Sequence, residues 1–155
     1  MKTKINIVLI HPQIPQNTGS IGRLCVGLDA SLHVIRPMSF QITERNVLRA
    51  GLDYWKYLDL HIHDSWDAFL ESEQPQQLCF ATTKTSRKYT DCNYQNNCYL
   101  VFGSESHGLP TDFYKSYAKN LYTIPMPGKH ARSINLANSV AIMMYEAYRQ
   151  LEPTP

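Results

Sequence analysis

The residues best suited to chemistry lie in loops that follow apolar runs. Val101-Phe102-Gly103-Ser104-Glu105-Ser106-His107-Gly108-Leu109-Pro110 is the clearest case. An apolar segment stops there at two glycines, a carboxylate and an imidazole. Glycine lets backbone approach a ligand closely, and a carboxylate is a fixed acceptor. Glu105 can therefore accept from a ribose or hold its own loop through backbone N–H groups. His107 offers an imidazole there, although a histidine in such a loop most often has no task. Two further segments share the design: Asn17-Thr18-Gly19-Ser20-Ile21-Gly22-Arg23, and Ile124-Pro125-Met126-Pro127-Gly128 running on to Ser133-Ile134-Asn135. If a helix starts near Thr18, Asn17 and Arg23 sit near its N-terminus, where an arginine can grip a phosphate or orient a hydroxyl. A solvated helix-face arginine is the plainer reading. Ser133 and Asn135 are ordinary N-cap residues that could also close over a ligand. Together these loops suggest one composite, nucleotide-like site.

Lys84, Arg87 and Lys88 surround Tyr89 and several hydroxyl residues, and Lys129, His130 and Arg132 form a second basic cluster. Such clusters are usually solvated loops. Flanking one site, with an aromatic ring for stacking, they are what an RNA-facing surface needs. His61-x-His63 would share a strand face, as metal ligands do, but no third ligand is evident, so no metal is expected. There is no phosphate-loop Gly-x-x-x-x-Gly-Lys, no Gly-x-Gly-x-x-Gly after the first strand and no Gly-x-Ser-x-Gly elbow.

The elements that must position these loops alternate. Strands are expected at Ile5–Ile10, Leu32–Ile35, Leu58–Ile62, Leu78–Ala81, Cys98–Phe102 and Leu121–Ile124. Helices are expected from Asn17 or Thr18, over Thr43–Leu52, from Ser65 to before Pro75, with Pro110 in the first turn of another, and over Leu136–Leu151. This pattern implies a three-layer α/β domain with a mainly parallel sheet, whose ligands bind beyond the carboxyl ends of the strands. The last helix is apolar on more than one face, with Val140, Ala141, Met144, Tyr145 and Tyr148, which suggests packing against a second copy.

The 155 residues suit one domain spanning 1–155. With 43% hydrophobic and 18% charged residues and a net charge of +2, the chain is neither disordered nor strongly cationic, so any RNA contact is local. No apolar run approaches a membrane span, and the N-terminus lacks a cleavage-site pattern. Cys25, Cys79, Cys92 and Cys98 form no Cys-x-x-Cys pair and read as reduced thiols of a cytoplasmic protein. The tail after Leu151 is expected to fray.

At these residues the chain resembles the SPOUT RNA methyltransferases. The resemblance rests on three motifs in order: Asn17-Thr18-Gly19-x-x-Gly22-Arg23, Phe102-Gly103-x-Glu105-x-x-Gly108-Leu109, and Ile124-Pro125-Met126 with Ser133-x-Asn135. Pro37-Met38-x-Phe40, Arg49-Ala50-Gly51-Leu52-Asp53-Tyr54 and Tyr145-Glu146-Ala147-x-Arg149-Gln150 look most like its compact tRNA wobble-nucleoside members. The resemblance implies a deep C-terminal trefoil knot, an obligate homodimer and no metal. It implies S-adenosyl-L-methionine, released as S-adenosyl-L-homocysteine, held by Thr82, Gly103, Glu105, Gly108, Ile124, Met126, Ser133 and Asn135. It implies catalysis by Arg23 with Asn17 and Tyr145. The substrate it implies is the wobble cytidine or modified uridine of a tRNA anticodon stem-loop, in leucine tRNAs, contacted by Lys84, Arg87, Lys88, Lys129 and Arg132. A ribosomal RNA substrate, or a binding protein of the same fold without catalysis, are the alternatives.

Overall fold

The computed structural model describes residues 2–42, 45, 47, 49 and 52–152. Strands β1 (Ile5–Ile10), β2 (Ser31–Ile35), β3 (Asp59–His63), β4 (Leu78–Ala81), β5 (Cys98–Phe102) and β6 (Leu121–Tyr122) form one sheet in the order β3-β2-β1-β5-β4-β6. Every pairing is parallel. The principal helices among the described residues are α1 (Pro15–Gly27), α2 (Trp66–Glu73), α3 (Phe113–Ser116) and α4 (Leu136–Leu151).

Alternation along the central strands explains the layers. Ile5, Ile7 and Leu9 of β1, with Leu100 and Phe102 of β5, pack against Ile21 and Cys25 of α1 and Val140, Met143, Met144 and Ala147 of α4. Val8, Ile10 and Val101 point the other way, onto Phe69 of α2 and Phe113 of α3. Each central strand is buried on both faces, which is why β1 and β5 read as near-continuous apolar runs, with buried Asn6 satisfied by Asn97 Oδ1 and the Cys98 carbonyl. From β1 the chain winds outward through β2 to β3. It then crosses to β4, β5 and β6 on the other side. β1 and β5 are neighbours at this reversal, where a parallel sheet opens a crevice at its carboxyl edge.

Several boundaries differ from expectation. α1 begins at Pro15, a residue suited to the first helical position, not at Asn17 or Thr18. Arg23 is thus more than two turns into the helix, away from its N-terminus. β6 is short: Leu121 and Tyr122 pair with Phe80 and Ala81, and only a single bridge, Thr123 to Lys88, continues it. Pro110 precedes α3 instead of opening it, its carbonyl accepting from Phe113 N–H at 3.0 Å. Ser65 caps α2 as expected, and Gln74 ends it in the left-handed region. Arg45, Val47 and Arg49 are helical, while the expected cap Thr43 and the tail beyond Glu152 lie outside the described residues.

After β6 the chain returns from the sheet edge to its centre. The segment after β4 is tied to both ends of this return. Thr123 exchanges backbone hydrogen bonds with Arg87 and Tyr89, and Gln150 of α4 bonds the backbone of Cys92 and Tyr94. All four cysteines are free and buried, with Cys79 and Cys92 Sγ 3.4 Å apart. Burial pushes the Cys25 and Cys98 thiols up to about 12, so neither is a thiolate near neutrality.

α1 lies close against the 3-10 turn Leu52–Tyr57 because position 22 has no side chain. A Cβ there would stand 2.6 Å from the Trp55 ring. Gly22→Ala is expected to lower the unfolding free energy by about 1–3 kcal/mol through overpacking. Urea denaturation followed by tryptophan fluorescence checks this, and an unchanged midpoint would contradict the close approach.

Candidate active site

His11 follows β1, and its φ of 53° turns the chain out of the sheet. The next residues reach α1 through Pro12 and Pro15. Ile14 is the N-cap but its side chain cannot accept a hydrogen bond, so α1 has no cap of its own. The cap comes from the loop after β5. The Glu105 carboxylate accepts from Gln13 N–H at 2.8 Å and Ile14 N–H at 2.7 Å, and from Asn17 Nδ2 at 3.3 Å. A carboxylate there also meets the positive end of the helix dipole.

The chain of bonds continues. Asn17 is buried, and its Oδ1 accepts from Asn135 Nδ2 at 3.0 Å. Asn135 Oδ1 in turn accepts from Asn138 N–H at 3.2 Å and caps α4. Because Glu105 only accepts, the Asn17 amide must turn its NH2 toward Glu105 and its carbonyl toward Asn135. One carboxylate and two amides thus tie the loops after β1, β5 and β6 together.

The loop after β5 is itself tight. Ser104 and Gly108 exchange backbone hydrogen bonds at 3.1 and 2.9 Å. Gly108 has a φ of 71°, and a Cβ on Gly103 would lie 2.0 Å from the Gly108 carbonyl carbon. Both positions therefore require glycine. Gln13 Oε1 accepts from Ser106 N–H at 2.9 Å and Ser106 Oγ at 2.6 Å, pinning the tip of the loop.

These loops surround a cleft of about 530 Å³. Thr82, Gly103, Glu105, Gly108, Ile124, Met126, Ser133 and Asn135 all line it, as do Asn17 and Lys84. The Lys84 ammonium stands 5.0 Å from the centroid of the Tyr114 ring, which also lines the cleft. Thr82 Oγ1 accepts from Lys84 N–H at 3.1 Å and holds that turn. His107 lies on the rim, with Nδ1 2.9 Å from Ser106 Oγ.

Other expected residues lie elsewhere. Arg23 is exposed on α1, its guanidinium 4.9 Å from the centroid of the Tyr54 ring. Tyr145 is 49% exposed on α4, edge-on to Tyr148. Neither lines the cleft. Arg87 bonds the Lys119 carbonyl and stands over Tyr122, while Lys88, Lys129 and Arg132 are exposed. Gln13 and Tyr114 carried no signal in the sequence. A glutamine between prolines reads as solvated loop, and Tyr114 reaches the cleft only through the placement of α3.

Residues 4–145 match the SpoU rRNA methylase family. The chain belongs to this family. Among its relatives, the tRNA (cytidine(34)-2'-O)-methyltransferase of Escherichia coli strain K12 is 43% identical over 148 residues, covering 95% of this chain and 94% of that protein. The enzyme of the same name from Burkholderia ambifaria is 40% identical over 149 residues, covering 94% of each. A structure from work on the 2-OH methylation of C/U34 on tRNA superposes with a TM-score of 0.90 at 39% identity, covering 97% of this chain and 98% of that one. The SpoU methyltransferase AviRb of Streptomyces viridochromogenes, solved with AdoMet, shares the fold at a TM-score of 0.81 and 23% identity, with 97% of this chain and 61% of that one covered.

In this SpoU-family site, Glu105→Ala would leave the Gln13 and Ile14 N–H groups without their acceptor. Gln13 N–H is part-buried and Ile14 N–H exposed, so water replaces part of the loss and the combined cost is about 1 kcal/mol. The variant is expected to lose stability on that scale and amide-exchange protection at Gln13 and Ile14. Retained protection at both amides would contradict the capping role.

Proposed function

We propose that this chain transfers a methyl group from S-adenosyl-L-methionine to the ribose 2′-oxygen of nucleotide 34, the wobble position of a tRNA anticodon. The observation that carries this reading is the 43% identity to the Escherichia coli enzyme of that name over nearly the whole of both chains. The cleft fits the cofactor. Its volume of about 530 Å³ is within the usual range for ligand sites of this size. Its Gly103–Gly108 lobe offers backbone where a side chain would obstruct. Thr82, Gly103, Gly108, Ile124, Met126 and Ser133 would hold the cofactor. Glu105, Asn17 and Asn135 would keep those loops in register, since their polar groups are committed to one another. When bound, the cofactor supplies an electrophilic methyl on a sulfonium.

The chain's own residues must then align the ribose oxygen and ease loss of its proton. Alignment alone contributes up to roughly 7–11 kcal/mol in favourable cases. Arg23 is assigned an electrostatic role: it stabilises the developing alkoxide and holds a neighbouring phosphate, because guanidinium groups in proteins do not act by releasing a proton. Arg23 and Tyr145 lie outside the cleft of their own chain, so this assignment includes a homodimer whose second copy completes the site. The exposed apolar residues Ile142 and Tyr145 on α4 support such an interface. Lys84, Arg87, Lys88, Lys129 and Arg132 are assigned to the tRNA backbone, and the cytoplasm is the compartment that fits this substrate. The C-terminal trefoil knot belongs to the same reading, with the return from β6 passing through the 82–97 segment.

Methyl transfer from labelled S-adenosyl-L-methionine to unmodified tRNA, followed by nucleoside mass spectrometry, tests the proposal. The expected product is a 2′-O-methylated pyrimidine mapped to position 34. Methylation of ribosomal RNA instead, or cofactor binding without transfer to any RNA, would overturn it. Arg23→Lys keeps the charge but loses the planar fork. It is expected to lower kcat at least about tenfold, or ~1.4 kcal/mol of barrier, with cofactor affinity unchanged. A normal kcat would remove Arg23 from the mechanism. Ile142→Asp is expected to yield monomers without transfer activity, as sedimentation and the same assay would report. A fully active monomer would refute the shared site.

A further inference from the structure

Away from the cleft, under α2 and beside the edge strand β3, three imidazoles and a carboxylate converge. The register of β2 and β3 sets His33 directly beside His61, their rings stacked with centroids 4.7 Å apart. Glu73, at the end of α2, reaches over the same face, with Oε1 3.8 Å from His33 Nε2. One ligand atom from each of His33, His61 and Glu73 lies within 4.8 Å of the others. We propose that His33, His61 and Glu73 form a binding site for one divalent transition-metal ion of the zinc type, with water completing the coordination.

The 3.8 Å separation is too long for a hydrogen bond. Two ligand atoms about 2.0–2.2 Å from a tetrahedral ion stand roughly 3.3 Å apart, so Glu73 must close on His33, and His61 must turn out of its stack to aim its in-plane lone pair at the same centre. Each principal ligand is held from behind, as metal ligands usually are. His33 Nδ1 is 3.0 Å from His63 Nε2, which leaves Nε2 as the nitrogen facing Glu73. The Tyr99 hydroxyl donates to Glu73 Oε1 at 3.2 Å. Asp59 Oδ1 lies 2.8 Å from His61 Nε2 and adds a second negative charge beside the rings. Burial drives the His33 pKa down to about 4, so its ring is neutral and can donate a lone pair at neutral pH. His61 is partly exposed and gives an ion a way in. The nitrogen and carboxylate donors select a borderline ion over magnesium or calcium.

The geometry revises the sequence pattern. His61-x-His63 is not the ligand pair: His63 supports His33, and the missing ligands come from β2 and α2. Zn²⁺ titrated calorimetrically into the chelator-stripped full-length protein near neutral pH tests the site, with Co²⁺ visible absorption reporting geometry. One equivalent with micromolar or tighter affinity, a raised Tm and a tetrahedral Co²⁺ spectrum are expected. His61→Ala, at a partly exposed position, and Glu73→Gln should each weaken binding at least about tenfold. Tyr99→Phe keeps every ligand and should weaken it by about 10–100-fold through the lost hydrogen bond. No binding, or affinity undiminished in both His61→Ala and Glu73→Gln, would overturn the proposal.

Discussion

The fold's functional edge depends on the Glu105 carboxylate. Helix α1 starts at a proline, behind an isoleucine that cannot cap it. The Gln13 and Ile14 N–H groups that lead into the helix would lack an acceptor if the loop after β5 did not supply one. Glu105 supplies it from 91 and 92 positions away in the chain. These charge-assisted bonds are partly open to water and together contribute about 1 kcal/mol. Their larger effect is geometric, because they lock the loop after β1 to the loop after β5. Asn17 then passes the constraint to Asn135, and through it to the start of α4.

The sheet explains why such an interaction is available. With β1 and β5 adjacent and parallel, the loops leaving their carboxyl ends emerge side by side. The short β6 and the return to α4 bring the last motif to the same edge. Glycine at 103 and 108 lets the β5 loop fold back on itself within this crowded space. The cleft combines small side chains such as Thr82, Ser104 and Ser133 with larger ones such as Tyr114, Met126 and Ile134, while Glu105, Asn17 and Asn135 are spent on holding the loops.

Much of this was legible in the sequence. The largely apolar runs of β1 and β5 reported buried strands, and Asn17, Gly103, Glu105, Gly108, Ile124, Met126, Ser133 and Asn135 of the three motifs line one cleft, whereas Arg23 does not. The start of α1 was misplaced because the polar pair Asn17 and Thr18 is a better local cap than Ile14. Local sequence carries no record of a cap supplied from Glu105. The partners of Asn17, Glu105 and Asn135, were not legible for the same reason: they are distant in the chain. Arg23 was placed near a helix N-terminus through that boundary, and it lies instead against Tyr54. The histidines show the converse. His61 and His63 stand together in the sequence, but parallel register joins His61 to His33, and helix packing adds Glu73.

The central claim is that the three loops act as one hydrogen-bonded unit. A double-mutant cycle on Asn17→Ala and Asn135→Ala, read as S-adenosyl-L-methionine affinity by calorimetry, tests it most directly. Coupling between the positions should reach about 0.5–3 kcal/mol, as expected of residues in one network. Additivity within about 0.3 kcal/mol would mean that the loops hold their places independently, and would contradict the account.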